Sequence, residues 1–178
     1  MAASEGLPFI KSGGLADVIG SLPFELTKKG HEVRVVIPLY LKIAQKYHDE
    51  FTHEVSYSVN INYHEVPVNV WSKMVKDVKY YFIEHQGYFE RDGLYGYMDD
   101  GERFAYFQKA VIEMLNQLNY WPEIIHSHDW HTGMIPVLCK EGHSFDERYR
   151  SIKHVYTIHN LAFQGNFGVE MLDSCLGL

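Results

Sequence analysis

The chain is expected to fold as an α/β domain with a mostly parallel sheet flanked by helices. Three observations carry this. Strand-like apolar runs alternate with stretches of helical spacing, the pattern of βαβ units. A turn of lysine, serine and two glycines, Lys11-Ser12-Gly13-Gly14, stands directly before the first helical stretch. Two histidine-rich segments follow strand-like runs: His126-Ser127-His128-Asp129-Trp130-His131-Thr132-Gly133 and Tyr156-Thr157-Ile158-His159-Asn160-Leu161-Ala162-Phe163-Gln164-Gly165. Parallel sheets bind ligands beyond the carboxyl ends of their strands, where these segments fall.

The elements follow in order. Leu15, Val18, Ile19, Leu22 and Leu26 recur at helical spacing, interrupted by Gly20 and by Pro23, which is expected to kink the helix. Gly30 reads as the C-cap. A valine-rich strand covers 31–37, and Pro38 ends it. Residues 55–63 and 66–72 alternate as strands do, and 79–84 is a further strand. Residues 87–101 hold four glycines and three aspartates and read as a loop, with Asp99 or Asp100 capping the next helix. Phe104, Phe107, Val111, Met114, Leu115 and Leu118 form the apolar face of that helix, and Pro122 breaks it. A short buried strand at 123–127, a helix at 133–140 and a strand at 152–158 complete the pattern. There is no internal repeat.

Composition narrows the function. One domain is expected from 178 residues, and 46% hydrophobic content suits a globular core. A formal charge of −7 argues against nucleic acid, whose phosphates need clustered Lys and Arg. No apolar run approaches the ~20 residues of a membrane span. No secretory signal is visible. Cys139 and Cys175 suggest no disulfide framework, which fits a reducing cytoplasm.

Glycine lets a backbone take positive φ and approach a ligand closely. A helix N-terminus behind such a turn favours phosphate, and Lys11 adds an ammonium. The turn is neither a Walker loop nor a dinucleotide fingerprint, and two glycines also suit a plain strand-to-helix turn. Asp17, one turn into the helix, complements the dipole on a structural reading. His126, His128, His131 and Asp129 crowd imidazoles and a carboxylate together, yet their spacing matches no zinc pattern, so no metal is expected.

In this order, the three segments closely resemble the N-terminal domain of bacterial glycogen synthases and plant starch synthases. The resemblance continues through Gly30-His31-Glu32-Val33-Arg34-Val35-Val36-Ile37-Pro38 and Arg91-Asp92-Gly93-Leu94-Tyr95-Gly96, over nearly the whole chain. It implies a Rossmann-like N-terminal domain of a GT-B glycosyltransferase. The reaction implied is retaining transfer of glucose from ADP-glucose to the non-reducing end of an α-1,4-glucan, by front-face attack assisted by the leaving diphosphate. No cofactor beyond the donor is implied. By this resemblance Lys11, Gly13 and Gly14 lie near the donor diphosphate and Asp17 lines the cleft. Asp129 and Trp130 face glucan and donor with His128 beside them, and Tyr95 packs near the donor. His159 is the principal catalytic candidate: its carbonyl lies near the anomeric carbon and its side chain near the sugar 6-hydroxyl. Asn160 and Gln164 hold sugar hydroxyls or shape the turn. Phe163 stands where the family usually has tyrosine.

Residues 1–178 are therefore expected to be a partial N-terminal domain, about the first third of a synthase, without most of its first strand and without the C-terminal nucleotide-sugar domain. The family works in the cytoplasm, and in plastids in plants. A non-catalytic glucan-binding module of the same fold is the first rival reading. A nucleotide-dependent oxidoreductase is the second, and it would need the Gly-x-Gly-x-x-Gly spacing that the Lys11 turn lacks.

Overall fold

The computed structural model describes residues 1–178. Two short helices, α1 (Leu15–Ile19) and α2 (Leu22–Lys28), replace the single kinked helix expected there. The break falls at Gly20-Ser21, ahead of Pro23. Pro23 occupies the first turn of α2, where its missing N–H removes no intrahelical bond. Gly30, at φ +90°, ends α2: its N–H bonds to Thr27 O and that of His31 to Leu26 O. This pair of bonds is the left-handed helix stop that favours glycine.

Six strands follow, interleaved with helices. They are β1 (Arg34–Pro38), β2 (Thr52–Ile61), β3 (His64–Val75), β4 (Val78–Glu84), β5 (Ile124–His128) and β6 (Lys153–Thr157). α3 (Leu41–Tyr47) fills a stretch with no assigned element, and a single turn, α4 (Gln86–Phe89), opens the expected loop. The long helix α5 (Asp100–Gln117) buries Phe104, Phe107, Val111, Met114 and Leu115, as its spacing requires. Asp99 holds the N-cap position, but its carboxylate pairs with Arg91 at 2.6 Å rather than capping. Asp100 instead accepts from the N–H groups of Gly96 and Tyr97.

The expected helix at 133–140 is broken into three pieces. A 3₁₀ turn (Trp130–Thr132) precedes a short helix, α6 (Ile135–Val137), and a π-helical turn (Leu138–Gly142). Pro136 sits in the first turn of α6, so no long helix runs through it. α7 (Glu147–Ser151) is capped by the Asp146 carboxylate, which accepts from Arg148 N–H at 2.9 Å. A second π-helical turn (Leu172–Leu176) ends the chain.

β1 pairs with β4 and β5 with β6, both in parallel. Between the two pairs lies the start of the chain. Ala2 bridges Val36 and Ser127, parallel to both strands. Its N–H bonds to His126 O at 2.9 Å, and its carbonyl accepts from His128 N–H at 3.2 Å. Residues 1–3 thus occupy a strand position and join the two pairs into one surface. β2 and β3 extend it as antiparallel strands, through two tight turns with positive φ at Asn62, Tyr63 and Lys76. The sheet is mixed at that edge and parallel where the motifs lie. Forty buried side chains form one core, in which Phe9 lies against Tyr80 and Phe82 with ring centroids 5.1 and 4.8 Å apart. Each such ring contributes about 1.5–3 kcal/mol by leaving water. No helix is long and apolar enough to cross a membrane.

Candidate active site

The glycine-rich turn differs from expectation in its backbone. Gly14 is the N-cap of α1 with φ −70°, in ordinary helical space, so positive φ is not why glycine stands there. Nor does crowding within the fold require it. A Cβ on Gly14 would meet nothing within 4 Å, and one on Gly13 would meet only Glu5 Oε1, at 3.5 Å. The turn therefore faces open room that its own fold does not fill.

Two of its donors are already engaged. The buried carboxylate of Glu5 accepts from Ser12 N–H and from Gly13 N–H, the latter at 3.2 Å. Lys11 is not a free ammonium: its Nζ donates to both oxygens of Asp17, at 2.6 and 2.7 Å. Both side chains are about half exposed, at 46% and 53%. This pair is cheap to separate, since exposed ion pairs contribute about 0–1 kcal/mol. Glu5 carries no sequence signal beyond its place just before the turn.

The second group gathers at the ends of β5 and β6. Asp129 follows β5 with φ 57° and ψ 178°. That region is essentially reserved for glycine and costs a side-chain-bearing residue about 1–3 kcal/mol. Three contacts hold the turn. Asp129 N–H donates to Thr157 O at 2.9 Å, and Thr132 N–H donates to Asp129 O at 3.1 Å. The fully buried Thr132 hydroxyl accepts from His128 N–H at 2.7 Å and donates to His128 O at 2.8 Å. The twisted backbone aims the Asp129 carboxylate at β6, where Oδ1 accepts from His159 N–H at 2.7 Å. Sequence reading did not single out Thr132; a hydroxyl three residues beyond Asp129 was the available signal.

Tyr95 stands between the two groups. Its hydroxyl shares a hydrogen bond of 2.8 Å with Ser4, and its ring lies 4.7 Å from that of His131. Burial raises its pKa, and the carboxylates of Glu5 and Asp129 raise it further, so one phenol senses both sides. Asp100 and Arg103 shape its loop from beneath. Arg103, fully buried, donates to Tyr88 O at 2.7 Å, to Leu94 O at 3.3 Å and to the Asp100 carboxylate at 2.5 Å. Neither residue was singled out from the sequence.

Other expected contacts are redirected. His128 has 0% exposure and is not a cleft-facing ligand. Trp130 does not offer a free stacking face. It stacks on His131 at 4.0 Å, meets Phe104 edge-on at 5.1 Å and Phe167 at 5.3 Å. A Cβ on Gly165 would fall 2.5 Å from its ring, so the chain passes tight against it. Asn160 accepts from Ala162 N–H at 2.9 Å, and Gln164 donates to Leu161 O at 3.0 Å; both are exposed and close the turn after β6. Burial lowers His128 and His131 to about 3, so both stay neutral; His126 and His159 depress His128 further, and Arg103 depresses His131.

The arrangement presents a rigid carboxylate, an exposed imidazole and a lysine-bearing turn around Tyr95. Known proteins resemble the chain as a whole. The family described as starch synthase catalytic domain matches residues 1–178. A glycogen synthase of Streptococcus agalactiae is 46% identical over 176 residues, covering 99% of this chain and 37% of that protein. One from Clostridium kluyveri is 50% identical over 177 residues, with the same coverage. The catalytic domain of starch synthase IV from Arabidopsis thaliana, bound to ADP and acarbose, superposes with a TM-score of 0.87 at 30% identity, over 98% of this chain and 36% of that one. The chain thus spans a little over a third of the relatives it matches, and by sequence and fold together it belongs to the starch synthase catalytic domain family.

Proposed function

We propose that this segment forms one wall of the site at which a glycogen or starch synthase transfers glucose from ADP-glucose to the non-reducing end of an α-1,4-glucan, with retention. The observation that carries this is the Asp129–His159 bond of 2.7 Å, made by a carboxylate held in glycine-only backbone space. It fixes the peptide plane entering His159 at the end of a parallel strand. A preorganised carbonyl or imidazole there stabilises the positive charge that develops on a departing sugar. Strain at such a position is a common accompaniment of function.

Lys11 and the open turn at Gly13-Gly14 suit the diphosphate of the donor. On its arrival Lys11 exchanges Asp17 for phosphate, and Asp17 is freed toward the cleft. Tyr95 packs beside the donor. Asn160 and Gln164 serve the turn that presents His159, and Trp130 and His128 support the wall from behind. The remaining donor contacts, including further basic groups, belong to a C-terminal domain like that of the relatives. A cytoplasmic setting suits the two free, buried cysteines.

Labelled ADP-glucose and glycogen test the reading. The 178-residue chain alone is expected to transfer no glucose at a meaningful rate, because a diphosphate open to water gains only about 1 kcal/mol per charge contact. The synthase completed by its C-terminal domain is expected to be active. In it, His159→Ala should lower kcat far more than it raises the glucan KM. Weak glucan binding by the completed protein without any transfer would favour the binding-module reading instead.

A further inference from the structure

We propose that His128 is a positioning residue, whose buried Nδ1 grips Nε2 of His159 and leaves Nδ1 of His159 as the ring nitrogen available to a ligand. The inference rests on the glucosyl-transfer reading and deepens it, by assigning how the ring of the principal catalytic candidate is set.

Four observations lead to it. His128 Nδ1 lies 2.9 Å from His159 Nε2, with the rings 19° from parallel. His128 has no exposure, whereas His159 is exposed, so the pair spans the boundary between core and cleft. The gripping ring cannot swing. It stacks on His126 with centroids 4.0 Å apart, and His126 is anchored through Nε2 to Thr157 Oγ1 at 2.7 Å. Its backbone is held on both sides by Thr132. Finally, the buried Nε2 of His128 has no hydrogen-bond partner. The imidazole thus brings an orphaned nitrogen into the core, and the bond its ring makes is the one to His159.

His159 is consequently fixed twice. Asp129 holds its backbone N–H, and His128 holds its ring. The N···N contact needs one proton, supplied by either nitrogen. The tautomers of the two rings are therefore linked: a donating His128 leaves Nε2 of His159 bare and its Nδ1 protonated, and a donating His159 does the reverse. A free ring in water would exchange between both forms and many orientations. Removing that freedom before substrate arrives is the gain expected of a positioning contact.

The test uses the difference between two amides. Asparagine places its amide where Nδ1 of histidine lies, and glutamine places it where Nε2 lies. In the completed synthase, His128→Asn should keep kcat within about 3-fold, and His128→Gln should lower it about 10-fold or more with little change in glucan KM. Equal kcat in the two variants would overturn the proposal. A second measurement needs no variant. In the nitrogen-15-labelled completed synthase, a scalar coupling across the N–H···N contact should join His128 Nδ1 to His159 Nε2, and His159 should show a single tautomer. Averaged His159 nitrogen shifts with no such coupling would also overturn it. A completed wild-type synthase that transfers no glucose would defeat the functional reading alone, while the coupling would still decide whether the ring is held.

Discussion

The glycine-rich turn and the β5–β6 strand ends face each other across Tyr95, and they are built on opposite principles. The turn is held by contacts that a ligand can replace. Its lysine pairs with Asp17 in solvent, and its amides rest on one carboxylate, Glu5. The strand ends are held by contacts that nothing replaces: a buried hydroxyl on His128, a strained Asp129 and a hydrogen bond between neighbouring strands. On the proposed reading, the turn suits a mobile, charged group that comes and goes. The strand ends are suited to a reacting centre, where geometry must exist before the substrate does. The proposed function would then divide binding and chemistry between these two kinds of structure.

The sharpest way to break this comparison is at Asp129. Asp129→Gly removes the carboxylate yet relieves the backbone, so the two effects separate. Transfer by the completed synthase should fall about 10- to 100-fold, since a hydrogen bond to a charged group contributes about 1.5–3 kcal/mol. Thermal stability should hold or rise. A variant that loses activity only in proportion to a lowered melting temperature would show that the carboxylate is structural.

Acid should act on the strand ends and their surroundings. His128 and His131 are held near 3, well below the ordinary histidine value of 6.5, so the unfolded chain binds protons that the native chain refuses. Their contribution is complete above about pH 6.5 and is lost as pH falls from there toward 3, at up to roughly 1.4 kcal/mol per pH unit for each group. Urea unfolding at pH 7 and pH 5 checks this. His131→Phe should flatten the slope, and an unchanged slope would remove His131 from the account.

Thr132 offers a smaller effect. Thr132→Val keeps the shape and removes both hydroxyl bonds to the His128 backbone, leaving His128 N–H only its longer bond to Ala2 O, which should cost about 1 kcal/mol in chemical denaturation. Thr132→Ser should recover most of it. Equal losses in the two variants would point to the methyl group rather than to the hydroxyl.

The smallest change in stability belongs to the turn. Lys11→Met should shift unfolding by less than about 0.5 kcal/mol, because its ion pair is exposed. In the completed synthase it should raise the KM for ADP-glucose and leave the glucan KM nearly unchanged. A stability loss comparable to that of Thr132→Val would erase the contrast between the two regions.

Much was legible before any coordinates. Local spacing placed all six strands and the apolar face of α5 to within a few residues, because a strand or helix that buries one face must repeat its apolar residues at that element's own period. Motif order located the regions that carry Lys11, Tyr95, Asp129 and His159. Proline and glycine gave the breaks less well. Pro23 and Pro136 opened helices rather than kinking or continuing them, since the first helical turn is where a missing N–H is free.

Tertiary structure alone decided what each motif residue does. Periodicity records which face of an element is apolar, and it is silent on which polar groups meet across elements 30 residues apart. So His128 and Trp130, adjacent to the strained Asp129 in sequence, turned inward as supports. Glu5 and Thr132, unremarked in the chain, became the groups that hold the two walls. The alternation at 55–63 and 66–72 had marked β2 and β3 as strands, but their antiparallel pairing was hidden, because the turns use Asn62-Tyr63 and Lys76 at positive φ without a glycine to announce them. A sequence fixes which residues are available near a strand end. The backbone conformation at Asp129, which depends on contacts from β6 and Thr132 together, selects the one carboxylate that reaches His159.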